Sequence, residues 1–329
     1  MQITLELDEL TAYGNRLLGQ PARLRTLDVS ELKGGHAGAE VYRIDLGFRL
    51  ADGSSQAVPL VLKDTSESEV RVMRALREVP GAGALPLTIA CGERARTPNS
   101  GAAHWFVTPL YEGEHLTFED EVPRLVIESL ARVHAHFLSR VGQLGWLRCL
   151  DGDAFRQALD GALQGLGAAQ RRQPHALLAQ AYGDLESAGQ DPAILAALEA
   201  LPVTLTHGDV HPWNIVRLPD ERALLIDWGN ALVAPPMLDL ANLVEIDSEN
   251  WETYLAVWER ARGEAMDLHH ARLGYHWATV MINLQYLPYG AGQWPENKDV
   301  PAAVLGMVER LQHAVRAMPD LLPGKKAAT

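Results

Sequence analysis

Thr204-Leu-Thr-His-Gly-Asp-Val-His-Pro-Trp-Asn-Ile-Val216, then Arg217-Leu-Pro-Asp-Glu-Arg222, then Ala223-Leu-Leu-Ile-Asp-Trp-Gly-Asn-Ala231, is the stretch on which the fold turns. Two short apolar runs, Ile215–Val216 and Ala223–Ile226, flank a polar turn at residues 219–222. This pattern predicts a small β-hairpin. Asp209 and Asn214 precede its first strand and Asp227 follows its second, so a hairpin would gather two carboxylates and one amide at one end. Oxygen ligands of this kind hold a hard cation, and the carboxylate left over can serve as a base.

N-terminal to this stretch, residues 7–18 predict a short amphipathic helix and residues 24–32 a strand. Lys33-Gly-Gly-His-Ala-Gly38 is a glycine-rich turn, Ala39–Leu46 alternates as a strand, Asp52-Gly53 turns, and Val58–Lys63 is a third strand closed by a lysine. Gly34 and Gly35 would allow backbone N–H groups to approach phosphate oxygens closely. The turn is no Walker loop, since the lysine and hydroxyl that follow the glycines there are missing. Asp64, Thr65 or Ser66 can cap a following helix, whose apolar face is Val72, Met73 and Leu76. Two more strands are expected at Leu87–Cys91 and Trp105–Leu110.

Glu112-Gly-Glu114 is a polar joint, and helical periodicity resumes over Pro123–Leu138, 153–200 and 236–318. The expected architecture is therefore α+β. A small antiparallel sheet lobe, residues 1–111, precedes a larger, mostly helical lobe, residues 112–329.

The 329 residues are 47% apolar and 22% charged, as in a soluble globular protein. A net charge of −13 argues against nucleic acid or an anionic membrane surface as partner. The two cysteines, Cys91 and Cys149, have no metal-site spacing. The acidic N-terminus lacks the basic-then-apolar pattern of a signal peptide, and no apolar run reaches the length of a membrane helix, so the chain reads as cytoplasmic.

Asp209, Asn214 five residues later, and an Ile-Asp at a strand end match the core of the kinase phosphoryl-transfer template. A hydroxyl acceptor needs a carboxylate to orient it and take its proton. A triphosphate needs Mg2+, which binds a few oxygen ligands and water. Asp209 would be the base, with Asn214 and Asp227 as metal ligands.

His207-Gly-Asp-Val-His-Pro-Trp-Asn214, Ile226-Asp-Trp-Gly-Asn-Ala231 and Asp239-Leu-Ala241 together resemble the aminoglycoside phosphotransferase and choline kinase-like family, over about residues 30–290. That resemblance implies a two-lobed, protein-kinase-like fold. It also implies an ATP- and Mg2+-dependent small-molecule kinase acting on a hydroxyl. By the same resemblance Asp209 is the base, Asn214 and Asp227 hold Mg2+, and His207 and Asp239 support the loop. Asp239 as a plain helix N-terminal acid is the alternative. Lys63 stands where the family's phosphate-binding lysine stands, and its partner would be Glu69, with Glu67 as the competitor. The Gly34–Gly35 turn would cover the ATP phosphates. Residues 108–111 would present backbone groups to adenine. Pro109 has no N–H to donate, which leaves Leu110 or Tyr111.

Aromatic residues from Trp251 to Trp294, with the nearby acids Glu245, Asp247, Glu249 and Glu252, fit either a pocket for a cationic acceptor or an aromatic core with a solvated acidic rim. Two rival readings are weaker. A metallophosphoesterase would need further Asp/His clusters. A protein kinase would need more than the eleven residues between Asp227 and Asp239 for its activation segment. A non-catalytic nucleotide-binding kinase-like protein would be expected to lack one of Lys63, Asp209, Asn214 or Asp227, and all four are present.

Overall fold

Alternation of buried and half-buried side chains along two strands sets up the first sheet. Helix α1 (Leu7–Leu18) is followed by strands β1 (Arg23–Glu31), β2 (Val41–Arg49) and β3 (Ser55–Thr65). The computed structural model describes residues 7–32, 40–94 and 103–323. Ile44, Leu46 and Phe48 on β2 and Val58, Leu60 and Leu62 on β3 bury one face, and Leu10 and Tyr13 of α1 pack on it. Each such side chain contributes about 1.5–3 kcal/mol on burial. Gly14 sits mid-helix because the Phe48 ring fills the space a Cβ would need. With period 2, Val61 and Lys63 point to the opposite face from Leu60 and Leu62.

Helix α2 (Glu67–Leu76) starts at Ser66, whose hydroxyl accepts the Glu69 N–H at 3.2 Å. Acids at Glu67 and Glu69 then sit in its first turn, where the helix dipole favours them. Strands β4 (Ala90–Arg94) and β5 (Ala103–Pro109) complete a five-stranded antiparallel sheet of order β1-β2-β3-β5-β4. The pairing of β4 begins later than the apolar run Leu87–Cys91 implies. The Leu87 N–H is taken instead by the Tyr111 hydroxyl at 2.7 Å. β6 (Glu114–His115) pairs with the strand Ile215–Arg217, which pairs with Ala223–Leu225, so the expected hairpin is present. Its turn places Glu221 at φ 63° and closes with the Leu218 N–H on the Arg222 carbonyl at 2.8 Å.

The chain divides into two compact units: Met1–Val126 with Pro212–Ala231, and Ile127–His211 with Leu232–Thr329. The second unit holds most of α3 (Arg124–Leu138), and all of α4 (Gly152–Arg172), α5 (Ala176–Ala188), α6 (Pro192–Ala200), α7 (Glu249–Arg262), α8 (Leu268–Gly292) and α9 (Val300–Ala317). Asp151, Asp191, Ser248 and Asp267 cap four of these helices through side-chain oxygens. A two-stranded antiparallel ribbon, Thr204–Thr206 against Leu232–Ala234, frames the loop that carries Asp209. Trp251, Tyr254, Trp258 and Trp277 are buried, so this part of the aromatic series is core. α8 contains Pro288, and a Cβ on Gly165 of α4 would lie 2.9 Å from the Pro288 Cα. Glycine at 165 therefore lets the two helix backbones approach closely at that crossing. Among the described residues no helix is long and apolar enough to cross a membrane.

Candidate functional site

Lys63 lies in the first unit, on the face of β3 away from the core. Its Nζ donates to Glu69 Oε1 at 2.8 Å and to Asp227 Oδ1 at 2.7 Å. Glu69, not Glu67, is thus the partner on α2. The second oxygen of Glu69 accepts the Thr65 hydroxyl, so this carboxylate is satisfied although only 2% exposed. Burial alone would lower the Lys63 pKa; the charges of Glu69 and Asp227 outweigh it and hold the ammonium above its ordinary value.

Asp227 follows the second strand of the hairpin with left-handed backbone angles, φ 65° and ψ 63°. A non-glycine residue there costs on the order of 1–3 kcal/mol, and such strain concentrates at functional positions. The neighbouring hydrogen bonds fix it in place. The Ile226 N–H donates to the Asn214 carbonyl at 2.8 Å, which ties residue 214 to the strand end beside Asp227. The Trp228 indole donates to the Leu225 carbonyl at 3.1 Å.

A cavity of about 360 Å³ opens next to the Lys63 pair. Val41, Val61, Met73, Phe106, Val216 and Ile226 give it apolar walls, and Thr108–Tyr111 form one edge. An apolar slot with a few polar groups at one end is the usual form of a cofactor site. At the edge, the Leu110 N–H donates to the Pro59 carbonyl at 3.1 Å, so that donor is committed to the sheet. The Tyr111 ring packs against Val216, Leu218 and Leu224, and burial pushes its phenol up to about 12. Gly34 and Gly35 lie outside the described residues.

Asp209 lies in the second unit, in the loop after Thr204–Thr206. The fully buried Asp239 holds that loop: its Oδ2 accepts the His207 N–H at 2.7 Å and its Oδ1 the Gly208 N–H at 2.9 Å. His134 of α3 lies 3.0 Å from Asp239 Oδ2 and 2.9 Å from the Tyr254 hydroxyl. His207 Nδ1 accepts the Asp209 N–H at 3.3 Å. The Asp209 carboxylate accepts the Tyr286 hydroxyl of α8 at 2.9 Å, and His211 Nε2 is 3.9 Å away. Sequence reading missed the parts played by Thr65, His134 and Tyr286. Thr65 shares the face of Lys63 by strand period, and His134 interrupts an apolar helical stripe, so both left a signal. Tyr286 was one aromatic among many. The acids Glu245, Asp247, Glu249 and Glu252 are exposed, and Asp247 pairs with Arg272 at 2.6 Å.

Among the described residues no three His, Cys, Asp or Glu side chains cluster as a closed metal cage requires. Mg2+ needs no such cage, since it keeps waters and takes one or two protein oxygens alongside phosphates. The carboxylate of Asp227 and the amide of Asn214 are a donor set of that kind.

The sheet with its lysine–glutamate pair and the mostly helical unit with its His-Gly-Asp loop define a kinase-like fold. The model of the phosphotransferase enzyme family matches residues 29–275, and the chain belongs to that family. Its reaction class is therefore phosphoryl transfer. Solved structures share the fold at low identity. A proposed aminoglycoside phosphotransferase from Ralstonia eutropha JMP134 is 14% identical, with 95% of this chain and 99% of that one covered and a TM-score of 0.55. An aminoglycoside phosphotransferase from Alicyclobacillus acidocaldarius is 17% identical, with 91% and 92% covered and a TM-score of 0.51. A spectinomycin phosphotransferase, in complex with ADP and spectinomycin, is 13% identical, with 97% and 99% covered and a TM-score of 0.51. No curated protein matches the chain by sequence.

Proposed function

We propose that the protein is an ATP-dependent kinase that phosphorylates a hydroxyl group of a small molecule. The observation that carries this is the Lys63 ammonium held between Glu69 and Asp227 at the polar end of an apolar cavity. The apolar walls suit a purine. The Tyr111 N–H is the donor for its edge, since the Leu110 N–H is already engaged. Lys63 binds phosphate oxygens, and Glu69 keeps it oriented. Gly34 and Gly35, on the sequence expectation alone, would supply further backbone donors to the phosphates. Asn214 and Asp227 would hold Mg2+, which when bound neutralises charge on the phosphate oxygens.

Asp209 orients the acceptor hydroxyl and receives its proton. The acceptor oxygen forms a bond to the γ-phosphorus, the bond from that phosphorus to the β-bridging oxygen breaks, and ADP leaves. The ADP in the spectinomycin phosphotransferase complex supports an adenine nucleotide here.

The test is ADP release from MgATP across a panel of amino alcohols, sugars, amino acids and hydroxylated antibiotics. At least one acceptor should turn over. Asp209→Asn should bind MgADP as the wild type does while losing turnover by about 100-fold or more. Wild-type turnover in Asp209→Asn would remove the base from this reading. A panel with no acceptor, beside tight Mg2+-dependent nucleotide binding, would favour a non-catalytic nucleotide-binding protein.

A further inference from the structure

Of the side chains whose contacts with the Asp209 carboxylate are resolved, the closest comes from far along the chain. The Tyr286 hydroxyl donates to Asp209 Oδ1 at 2.9 Å across 77 residues of sequence. We propose that Tyr286 is a positioning residue for the base: its hydroxyl fixes the rotation of the Asp209 carboxylate toward the acceptor. The inference rests on the functional reading above and assigns a residue that the sequence pattern does not mark.

The phenol comes from α8, which packs closely on α4 beside it. Pro288, two residues on, packs against α4 at Gly165, where a Cβ would lie 2.9 Å from the Pro288 Cα and 3.2 Å from its Cβ. A side chain at 165 would push this part of α8 away. One turn before Tyr286, Asn283 donates back to the Thr279 carbonyl at 2.7 Å and keeps its amide within the helix. The contact at Gly165 thus anchors the stretch of α8 that carries Tyr286.

The chemistry also favours a donor over a second base. Burial first, then the charge and hydrogen bond of Asp209, raise the phenol above its ordinary value. Near neutral pH it therefore keeps its proton and donates it to the carboxylate. His207 Nδ1 holds the Asp209 N–H from the backbone side. His211 Nε2 lies 3.9 Å from the oxygen that Tyr286 already occupies. The loop is thus fixed at its backbone by Asp239 and His207, and its reactive side chain by Tyr286. Loss of such orientation leaves substrate binding intact and lowers the chemical step.

Two measurements test this. The first needs no acceptor: NMR of the full-length protein carrying 13Cζ-labelled tyrosine, with the Tyr286 signal assigned by its disappearance in Tyr286→Phe. That signal should titrate above the ordinary tyrosine value of about 10. Its midpoint should fall in Asp209→Asn, and an unchanged midpoint would overturn the contact. The second uses an acceptor found by the panel. Tyr286→Phe should lower kcat about tenfold with the KM for MgATP unchanged, while Tyr289→Phe, a residue 73% exposed three positions on, should behave as the wild type. Equal kcat for Tyr286→Phe and wild type would overturn the role. If Asp209→Asn loses turnover while Tyr286→Phe does not, only this inference fails. If Asp209→Asn keeps turnover, the functional reading fails as well.

Discussion

Glu69 is a carboxylate almost fully out of water, and its stability depends on two neighbours, Lys63 and Thr65. Removing Lys63 would leave that charge uncompensated. Lys63→Met is expected to destabilise the protein by about 3 kcal/mol or more, whereas Lys63→Met with Glu69→Leu should recover much of the loss. Urea unfolding of the two singles and the double closes the cycle; a double mutant as unstable as the sum of its singles would contradict it. Lys63 and Asp227 were readable in the sequence because each closes a short apolar strand, and Asp227 also lies close in sequence to Asn214. Tyr286 was not readable. A tyrosine that donates to a loop carboxylate and one that fills a core, such as Tyr254, leave the same mark in a helical pattern. Only the partner of each hydroxyl separates the two cases, Asp209 for Tyr286 and His134 for Tyr254.

Among the elements, α1 carries a central glycine that intrinsic helix propensity disfavours by about 1 kcal/mol. The Phe48 ring explains it, since that ring lies where a methyl group would project. Gly14→Ala is expected to destabilise by about 1–3 kcal/mol through overpacking. In a Phe48→Leu background the same change should become stabilising, and denaturant midpoints read the change of sign. β2 and β3 were legible because their burial alternates with period 2, and the hairpin because two short apolar runs flank a polar turn. β4 was placed too early. Leu87 to Ile89 have the composition of a strand, but the Tyr111 hydroxyl takes the Leu87 N–H, and a side chain 24 residues away leaves no trace in local pattern.

At the scale of the whole molecule, alkaline pH finds the weak point. Lys63, Tyr13, Tyr111, Tyr254, Tyr275 and Tyr286 all hold their protons more tightly folded than in the ordinary state. A raised folded pKa contributes stability in full below the unfolded value, about 10 for tyrosine, and loses it as pH rises through the folded value. For Tyr111 that window runs from about 10 to about 12. Tyr111→Phe should cost about 1 kcal/mol near pH 8, where the Leu87 N–H loses its acceptor, and less near pH 11.5. Denaturant titrations at the two pH values test this, and a cost that grows with pH would contradict the sign. The kinase-like architecture itself was legible, because a glycine turn, a strand-end lysine and a His-Gly-Asp loop occur in a fixed order. The acceptor was not, since helix spacing in the second unit encodes packing before it encodes recognition.

The hairpin segment Pro212–Ala231 belongs with the N-terminal sheet although it is encoded in the middle of the helical part. No single crossover between two related genes can therefore exchange one unit whole. Recombination that swaps helical units between relatives has to replace two separate coding stretches and spare the twenty codons between them.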